Sequence, residues 1–184
     1  MHEAWVKKIK EGDRDAFGKL YLRYYGSLCK FAWRFLNSPQ LSEELVQDVF
    51  LNIWETRIQL DEDKSIRSYL YAIVRNKALN HIKHRKVIEK FNSDEDWLSN
   101  TTSFQMHDFD EQYEFTETVK KAIENLPKGA GQIYKLYRSD GLTYQEIAEV
   151  LEISPKTVES QMTRALKILR ENLYTEYDKF LEDK

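Results

Sequence analysis

The residues best equipped for chemistry lie between positions 156 and 167. They carry ammonium, guanidinium, hydroxyl, amide and carboxylate groups, which are the groups that proteins use to contact DNA phosphates and base edges. They alternate with apolar residues at helical spacing, so a single helix would present most of them on its polar side. These residues are Lys156, Thr157, Glu159, Ser160, Gln161, Thr163, Arg164 and Lys167.

Two helix starts frame this stretch. Thr143 and Glu146 have the spacing of a capping box, which predicts that one helix begins there. Ser154 followed by Pro155 predicts the start of a second helix after a short turn through Glu152 and Ile153. The pair has the layout of a helix-turn-helix that reads the DNA major groove, although an ordinary helical hairpin with a solvated face remains the alternative. Its second helix is predicted to bury Val158, Met162, Ala165, Leu166 and Leu169.

Two further polar faces lie in the first half of the chain. Ser38 and Pro39 open a predicted helix with an acidic and amide-rich side that contains a leucine, formed by Glu44, Gln47, Asp48, Leu51 and Asn52. A later helix, from Ser65 to about Arg85, becomes increasingly basic and carries Arg75, Asn76, Lys77, Asn80 and Lys83. A solvated surface is the plain interpretation of both faces. The alternative for the basic one is that amides meet nucleobase edges while cations meet phosphates.

The periodicity predicts an all-α protein with two small helical domains. Other predicted helices run from Asp13 to about Leu36, from Tyr113 to Leu126 and over 131–139. We predict an N-terminal domain over 1–90, a flexible linker over 91–112 and a C-terminal helix-turn-helix domain over 113–184.

Charge is distributed unevenly along the 184 residues. The formal net charge is −3, yet residues 1–90 carry a net +5 and residues 118–184 are neutral. Residues 91–117 contain no Lys or Arg and eight Asp or Glu, so the linker is acidic. Since non-specific DNA affinity grows with the number of phosphates neutralised, we expect a neutral helix-turn-helix domain to bind DNA weakly unless it dimerises or another protein holds it there.

Several function classes are disfavoured. No run of 18 apolar residues predicts a membrane span, and the first residues lack the apolar core of a signal peptide, so we expect a cytoplasmic protein. The sequence has no glycine-rich phosphate loop and no order of residues typical of a nucleophilic triad. His81 and His84 share a helix face with cations that would repel a metal. We therefore expect neither catalysis nor a metal or other cofactor.

From about Ala16 to Leu173 the chain resembles the extracytoplasmic-function sigma factors of bacteria, which are subunits of RNA polymerase. SEELVQDVFLNIWE and SYLYAIVRNKALNHIK resemble the second region of that family. LPKGAGQIYKLYRSDGLTYQEIAEVLEISPKTVESQMTRALKILRENL resembles its fourth region. The resemblance implies a protein that directs core polymerase to promoters and assists promoter melting.

The resemblance also implies a role for each polar face. The face of Glu44, Gln47, Asp48, Leu51 and Asn52 resembles the one that docks on the coiled coil of the largest polymerase subunit. The helix with Asn76 and Asn80 resembles the element that opens the minus-ten region, where a base leaves the stack and the opened strand is held. The helix of Lys156–Lys167 resembles the reader of the minus-thirty-five element. Some members of this family have an anti-sigma partner, so one is possible here.

The sequence departs from the family pattern in ways that affect promoter choice. Glu152 occupies a turn position where glycine is common, so a left-handed backbone there would be strained. Glu159 stands where many members have a basic residue. The alternatives left open are an autonomous regulator that binds DNA as a dimer and a helical scaffold with no nucleic-acid role.

Overall fold

The computed structural model describes residues 3–92 and 117–182. Within those ranges the regular structure is helical throughout, and the predicted all-α fold is confirmed. Contacts divide the chain into two units, residues 1–108 and 109–184, here called the N-terminal and C-terminal units. The helices are α1 Glu3–Lys10, α2 Arg14–Leu36, α3 Pro39–Glu55, α4 Ile66–Asn92, α5 Glu117–Glu124, α6 Lys128–Arg138, α7 Tyr144–Leu151 and α8 Pro155–Glu182, with a 3₁₀ helix at Arg57–Gln59.

In the N-terminal unit, α2 is the central helix and packs against α1, α3 and α4. Asp13 caps α2 because its carboxylate accepts hydrogen bonds from the backbone N–H groups of Asp15 and Ala16, at 2.9 and 3.0 Å. These bonds, led by the one from Ala16, lower the pKa of Asp13. Ser38 caps α3 and Pro39 is its first residue, as predicted.

The core of this unit is rich in aromatic rings. The Phe31 ring lies 5.0 Å from that of Tyr71 on α4, and the Tyr21 ring lies 4.9 Å from that of Phe50 on α3. Such pairs add to the stabilisation from apolar burial. Large flat side chains therefore fix how α2, α3 and α4 pack together.

In the C-terminal unit, α5, α6 and α7 all pack against α8. The cluster beneath α5 and α6 contains three alanines, at 122, 130 and 165, with Leu126 and Leu169. Small side chains let helix backbones approach closely, so this unit achieves tight packing without a buried aromatic residue among its described positions.

Four sequence predictions need correction. Helix α1 was not predicted, and it forms because Val6 and Ile9 are buried. Helix α4 continues to Asn92, past both Arg85 and the start of the predicted linker at 91; the remaining linker, 93–112, lies outside the described residues. Helix α6 begins at Lys128, directly after Pro127, rather than at 131. Helix α5 ends at Glu124 rather than at the predicted Leu126, and the predicted start at 113–116 lies outside the described residues.

The buried stripe of α8 differs from the prediction at one residue. Val158, Met162, Ala165 and Leu169 are buried as predicted. The prediction that Leu166 belongs to the same stripe is wrong, because its side chain is 49% exposed. The neighbouring helices pack on the side of Ile168, which is partly buried against the alanine cluster, and leave Leu166 on the uncovered flank.

Candidate nucleic-acid interface

The local sequence of α7 and α8 sets the geometry of the helix-turn-helix. The Thr143 hydroxyl accepts from the Glu146 N–H at 3.2 Å, while the Thr143 N–H donates to the Glu146 carboxylate at 2.9 Å, which completes the predicted capping box. Helix α7 ends at Glu152, whose backbone is left-handed with φ 58° and ψ 44°. The Ser154 hydroxyl then accepts from the Thr157 N–H at 3.1 Å and caps α8.

The polar face predicted for α8 lies in solvent. Seven of its eight residues are exposed, and Gln161 is half-buried beside Gly129 of α6. Two hydroxyls are already engaged locally, because Thr163 donates to the carbonyl of Glu159 at 3.0 Å and Thr157 shares a hydrogen bond with Ser154 at 2.8 Å. Residues that can reach outward for base edges or phosphates are therefore mainly Lys156, Glu159, Ser160, Arg164 and Lys167.

Two tyrosines beside this face were missed by the sequence analysis. The rings of Tyr137 on α6 and Tyr144 on α7 meet edge to face at 5.4 Å, and Tyr137 is 47% exposed. Partial burial raises the pKa of Tyr144, and the Tyr137 hydroxyl and the Glu159 carboxylate raise it further. The Glu159 side chain is thus electrostatically coupled to α7. No sequence pattern predicts this pairing, because it depends on how three helices cross.

The predicted residues of α4 differ in exposure. Asn76, Asn80 and Lys83 are exposed and lie along one side of the helix at steps of four and three residues. Arg75 is half-buried and donates to the Asn76 side chain at 3.3 Å, which orients that amide. Lys77 is half-buried and lies three residues before Asn80, so it borders the same side of the helix.

An exposed aromatic residue extends the same stripe. Tyr69 lies seven residues before Asn76, which is two helical turns, and its side chain is 41% exposed. An exposed ring in line with amides and an ammonium group offers a surface on which an unpaired base can stack.

The acidic face of α3 is exposed along its whole length. Its five predicted residues, Glu44, Gln47, Asp48, Leu51 and Asn52, all lie in solvent, and Leu51 is 62% exposed. The Gln40 amide donates to the Glu44 carboxylate at 3.1 Å, and the Gln47 amide donates to the Tyr25 hydroxyl of α2 at 3.4 Å. A leucine surrounded by carboxylates and amides, on a helix held firmly by its buried side, suits a protein partner with basic and apolar groups.

The turn after α3 is held by an unusual contact. The Arg57 guanidinium lies 4.6 Å from the centre of the Trp54 ring and donates to the Trp54 carbonyl at 2.8 Å. The buried Arg57 Nε has no hydrogen-bond partner among the residues that the structure describes. Ile58, next in the 3₁₀ helix, is 73% exposed. The contact fixes the path by which the chain leaves α3 towards the loop before α4.

Comparison with known proteins places both units in one family. Residues 20–87 match the family model for Sigma-70 region 2, and residues 116–169 match the model for Sigma-70 region 4. These matches fall on α2–α4 and on α5–α8, so they cover the elements that carry all three polar faces. These two regions in this order are the domain arrangement of a sigma factor.

Relatives of similar length narrow the assignment. The ECF RNA polymerase sigma factor SigW of Bacillus subtilis is 23% identical over 176 residues, covering 91% of this chain and 94% of the relative. The ECF RNA polymerase sigma-E factor of Escherichia coli is 25% identical over 173 residues, covering 87% of each. The chain therefore belongs to the ECF sigma factors, the alternative sigma subunits that direct RNA polymerase to particular promoters.

Solved structures share the fold. CnrH, determined in complex with the cytosolic domain of CnrY, superposes with a TM-score of 0.62 at 22% identity, covering 95% of this chain and 97% of the other. RpoE of Bartonella quintana, determined with the anti-sigma factor NepR, gives a TM-score of 0.60 at 21% identity, covering 86% and 96%. In the part of this chain that the structure describes, no helix has the length and apolar character needed to cross a bilayer.

Proposed function

We propose that three exposed faces divide the work of transcription initiation among them. The α3 face holds core RNA polymerase, the α4 stripe holds the opened minus-ten strand, and the α8 face reads the minus-thirty-five element. The observation that carries this proposal is that each face is polar, exposed and borne on a helix whose other side is fixed in a core. Residues 1–90 and 113–184 then act as separate promoter-binding domains joined by the acidic segment between them.

Docking on polymerase is assigned to Glu44, Gln47, Asp48, Leu51 and Asn52. Leu51 supplies an apolar contact that loses water on binding, and Asp48 supplies a charge for a basic partner surface. Because polymerase contributes the catalytic step and most of the grip on DNA, the neutral charge of residues 118–184 is consistent with this role.

Strand opening is assigned to the α4 stripe. Asn76 and Asn80 present amides that can pair with the edges of bases that have left the duplex, and Lys83 and Arg75 supply positive charge for phosphates. Tyr69 adds a stacking surface at the end of the stripe. Lys77, half-buried beside Asn80, can supply a further positive charge for phosphates.

Reading of the minus-thirty-five element is assigned to the N-terminal half of α8. Arg164 can form paired hydrogen bonds with guanine, and Glu159 can accept from a cytosine amine. The Glu159 carboxylate contributes to the raised pKa of Tyr144, so the two side chains lie near each other. We further propose that the protein acts in the cytoplasm and that an anti-sigma factor controls it, since RpoE of Bartonella quintana forms a complex with the anti-sigma factor NepR.

The proposal is tested by reconstituted transcription. Purified chain is mixed with core polymerase and genomic fragments, and the transcripts are sequenced to find promoters. Asp48→Arg should abolish binding to core polymerase, and Asn80→Ala should reduce permanganate reactivity of the open complex more than closed-complex formation. Arg164→Ala should cost about 1–3 kcal/mol of discrimination at one base pair.

Each variant has a matched control on the same helix. Glu43→Arg, His81→Ala and Arg170→Ala alter exposed residues outside the three proposed contact sets, and each should leave its step intact. Undiminished polymerase binding by Asp48→Arg would reject the α3 assignment. Equal loss on every promoter variant with Arg164→Ala would identify a phosphate contact and reject base reading by that residue.

A further inference from the structure

The outer face of α2 has no role in the functions assigned above. Leu22 is 82% exposed, and it points away from the core because Leu20 and Tyr24 are buried on the opposite side of the helix. Lys19, Arg23 and Lys30 are exposed on the same outer side. None of these three cations forms an ion pair with a described carboxylate. The face therefore combines a projecting leucine with an excess of positive charge, which Asp15, two turns before Leu22, and Asp13, near Lys19, offset only in part.

Two glycines flank Leu22 at steps of four residues. Gly18 and Gly26 lie within the helix, and a Cβ added to either would meet no described atom within 4 Å. Each glycine costs about 1 kcal/mol of helix stability relative to alanine, yet neither a positive φ nor internal packing requires it. They leave Leu22 standing between two gaps, into which side chains of another helix can fit.

The α3 face has the complementary chemistry. Leu51 is the second exposed leucine of this unit, and Glu44 and Asp48 surround it with negative charge where Leu22 has positive charge. Within one molecule the two leucines cannot meet, because α2 and α3 pack through their other sides, where the Tyr21 ring contacts Phe50. Only a second molecule can bring the two faces together.

We propose that the outer face of α2 in one molecule docks on the α3 face of a second copy of this chain. Leu22 and Leu51 form the apolar centre of the contact, and Lys19 and Arg23 meet Glu44 and Asp48. The two contacting surfaces differ, so each pair leaves one free face of each kind and the assembly grows as an open chain. A single helix pair buries less than the roughly 800 Å² per partner of a standard interface, so association is weak and reversible.

Self-association would also regulate the protein. The occupied α3 face is the one assigned to polymerase under the proposed function, and this part of the inference rests on that assignment. A molecule within such a chain has its docking face covered, and core polymerase competes for it. Because the rim of the contact is charged and exposed, salt weakens it.

Sedimentation equilibrium of the full chain tests the inference. At low ionic strength the weight-average mass should rise with concentration beyond that of a dimer, and high salt should return it to the monomer. Two double variants then separate the faces: Leu22→Ser with Arg23→Gln removes the α2 face, and Leu51→Ser with Asp48→Asn removes the α3 face. Circular dichroism is used to check that both variants fold. We expect that they do, because the substituted side chains are exposed.

The decisive result comes from mixing the two variants. Each alone should stay monomeric, and an equimolar mixture should form a one-to-one complex that grows no further, because only one intact pair of faces remains. A wild-type chain that stays monomeric throughout, variants that still associate separately, or a mixture that fails to pair would each overturn the proposal.

Polymerase binding is measured in its own assay, so that a failure of the self-association proposal can be told apart from a failure of the docking assignment. The α2 variant should bind core polymerase normally, and the α3 variant should lose both polymerase and self-association. If the α3 variant loses polymerase but still self-associates, the inference falls and the docking assignment stands. If it keeps polymerase but no longer self-associates, the self-association contact stands and its regulatory consequence falls with the docking assignment.

Discussion

The two units solve the problem of packing helices in opposite ways. The N-terminal unit buries Tyr24, Phe31, Phe50 and Tyr71 together with three alanines, whereas the buried hydrophobic residues described in the C-terminal unit include no aromatic ring and have alanines at 122, 130, 148 and 165. Large rings provide much apolar area per residue. Small residues provide little apolar area but let helices cross closely. Close crossing suits the C-terminal unit, because α8, the second helix of the helix-turn-helix, must be presented at a defined angle.

The difference extends to how helix ends are fixed. The C-terminal unit sets the crossing of α7 and α8 within a few residues, through the Thr143–Glu146 capping box, the left-handed Glu152 and the Ser154 cap. The N-terminal unit also has caps, at Asp13 and Ser38. Its helices are long, so packing between them contributes more to stability than the caps do. We infer that the stability of the N-terminal unit is sensitive to a loss of side-chain volume in its core, and that of the C-terminal unit to added volume.

The largest effect is expected from removing a ring in the N-terminal unit. Phe31→Ala should lower the free energy of unfolding of this unit by about 3–5 kcal/mol, because it deletes a nearly fully buried ring packed against Tyr71. Urea denaturation followed by circular dichroism measures the change. Leu22→Ala on the same helix is the control, since Leu22 is 82% exposed. A similar loss in both variants would contradict the assignment of the core.

A smaller effect is expected from adding volume in the C-terminal unit. Ala165→Leu should destabilise this unit by about 1–3 kcal/mol, because the alanine is fully buried against Ala122, Leu126 and Ala130. Ser160→Leu inserts the same side chain at an exposed site of α8 and should change stability little. The amide exchange of α5–α8 distinguishes this unit from the other; protection lost only from α2–α4 would refute the separation of the two cores.

The sequence predicted most reliably those elements that short-range chemistry determines. The capping box at Thr143 and the Ser154-Pro155 and Ser38-Pro39 starts are local hydrogen-bonding patterns, and the structure has all of them. The exposure of Leu51 also followed from helical periodicity alone. The family resemblance added the order of the two regions, which periodicity could not provide.

What the sequence could not predict depends on neighbouring elements. Helix α1 has eight residues and would be marginal alone, so its formation depends on burial against α2. Leu166 fits the apolar spacing of α8, and only the placement of α5 and α6 shows that its side is uncovered. The Tyr137–Tyr144 contact and the Arg57–Trp54 stack likewise need tertiary structure. For the site, the three faces were predicted, but not that Arg75 and Lys77 are half-buried.

The smallest predicted effect compares one helix end from each unit. Asn37 ends α2 with φ 50°, and Glu152 ends α7 with φ 58°, so both lie in the left-handed region. Asparagine tolerates this region far better than glutamate, which pays about 1 kcal/mol or more for it. Glu152→Gly should therefore stabilise the C-terminal unit by up to about 1 kcal/mol, a little less than the full strain because glycine also gains freedom in the unfolded chain. Asn37→Gly should have almost no effect on the N-terminal unit. Thermal unfolding of both variants measures the difference, and an equal gain would mean that the strain at Glu152 is already relieved by its surroundings.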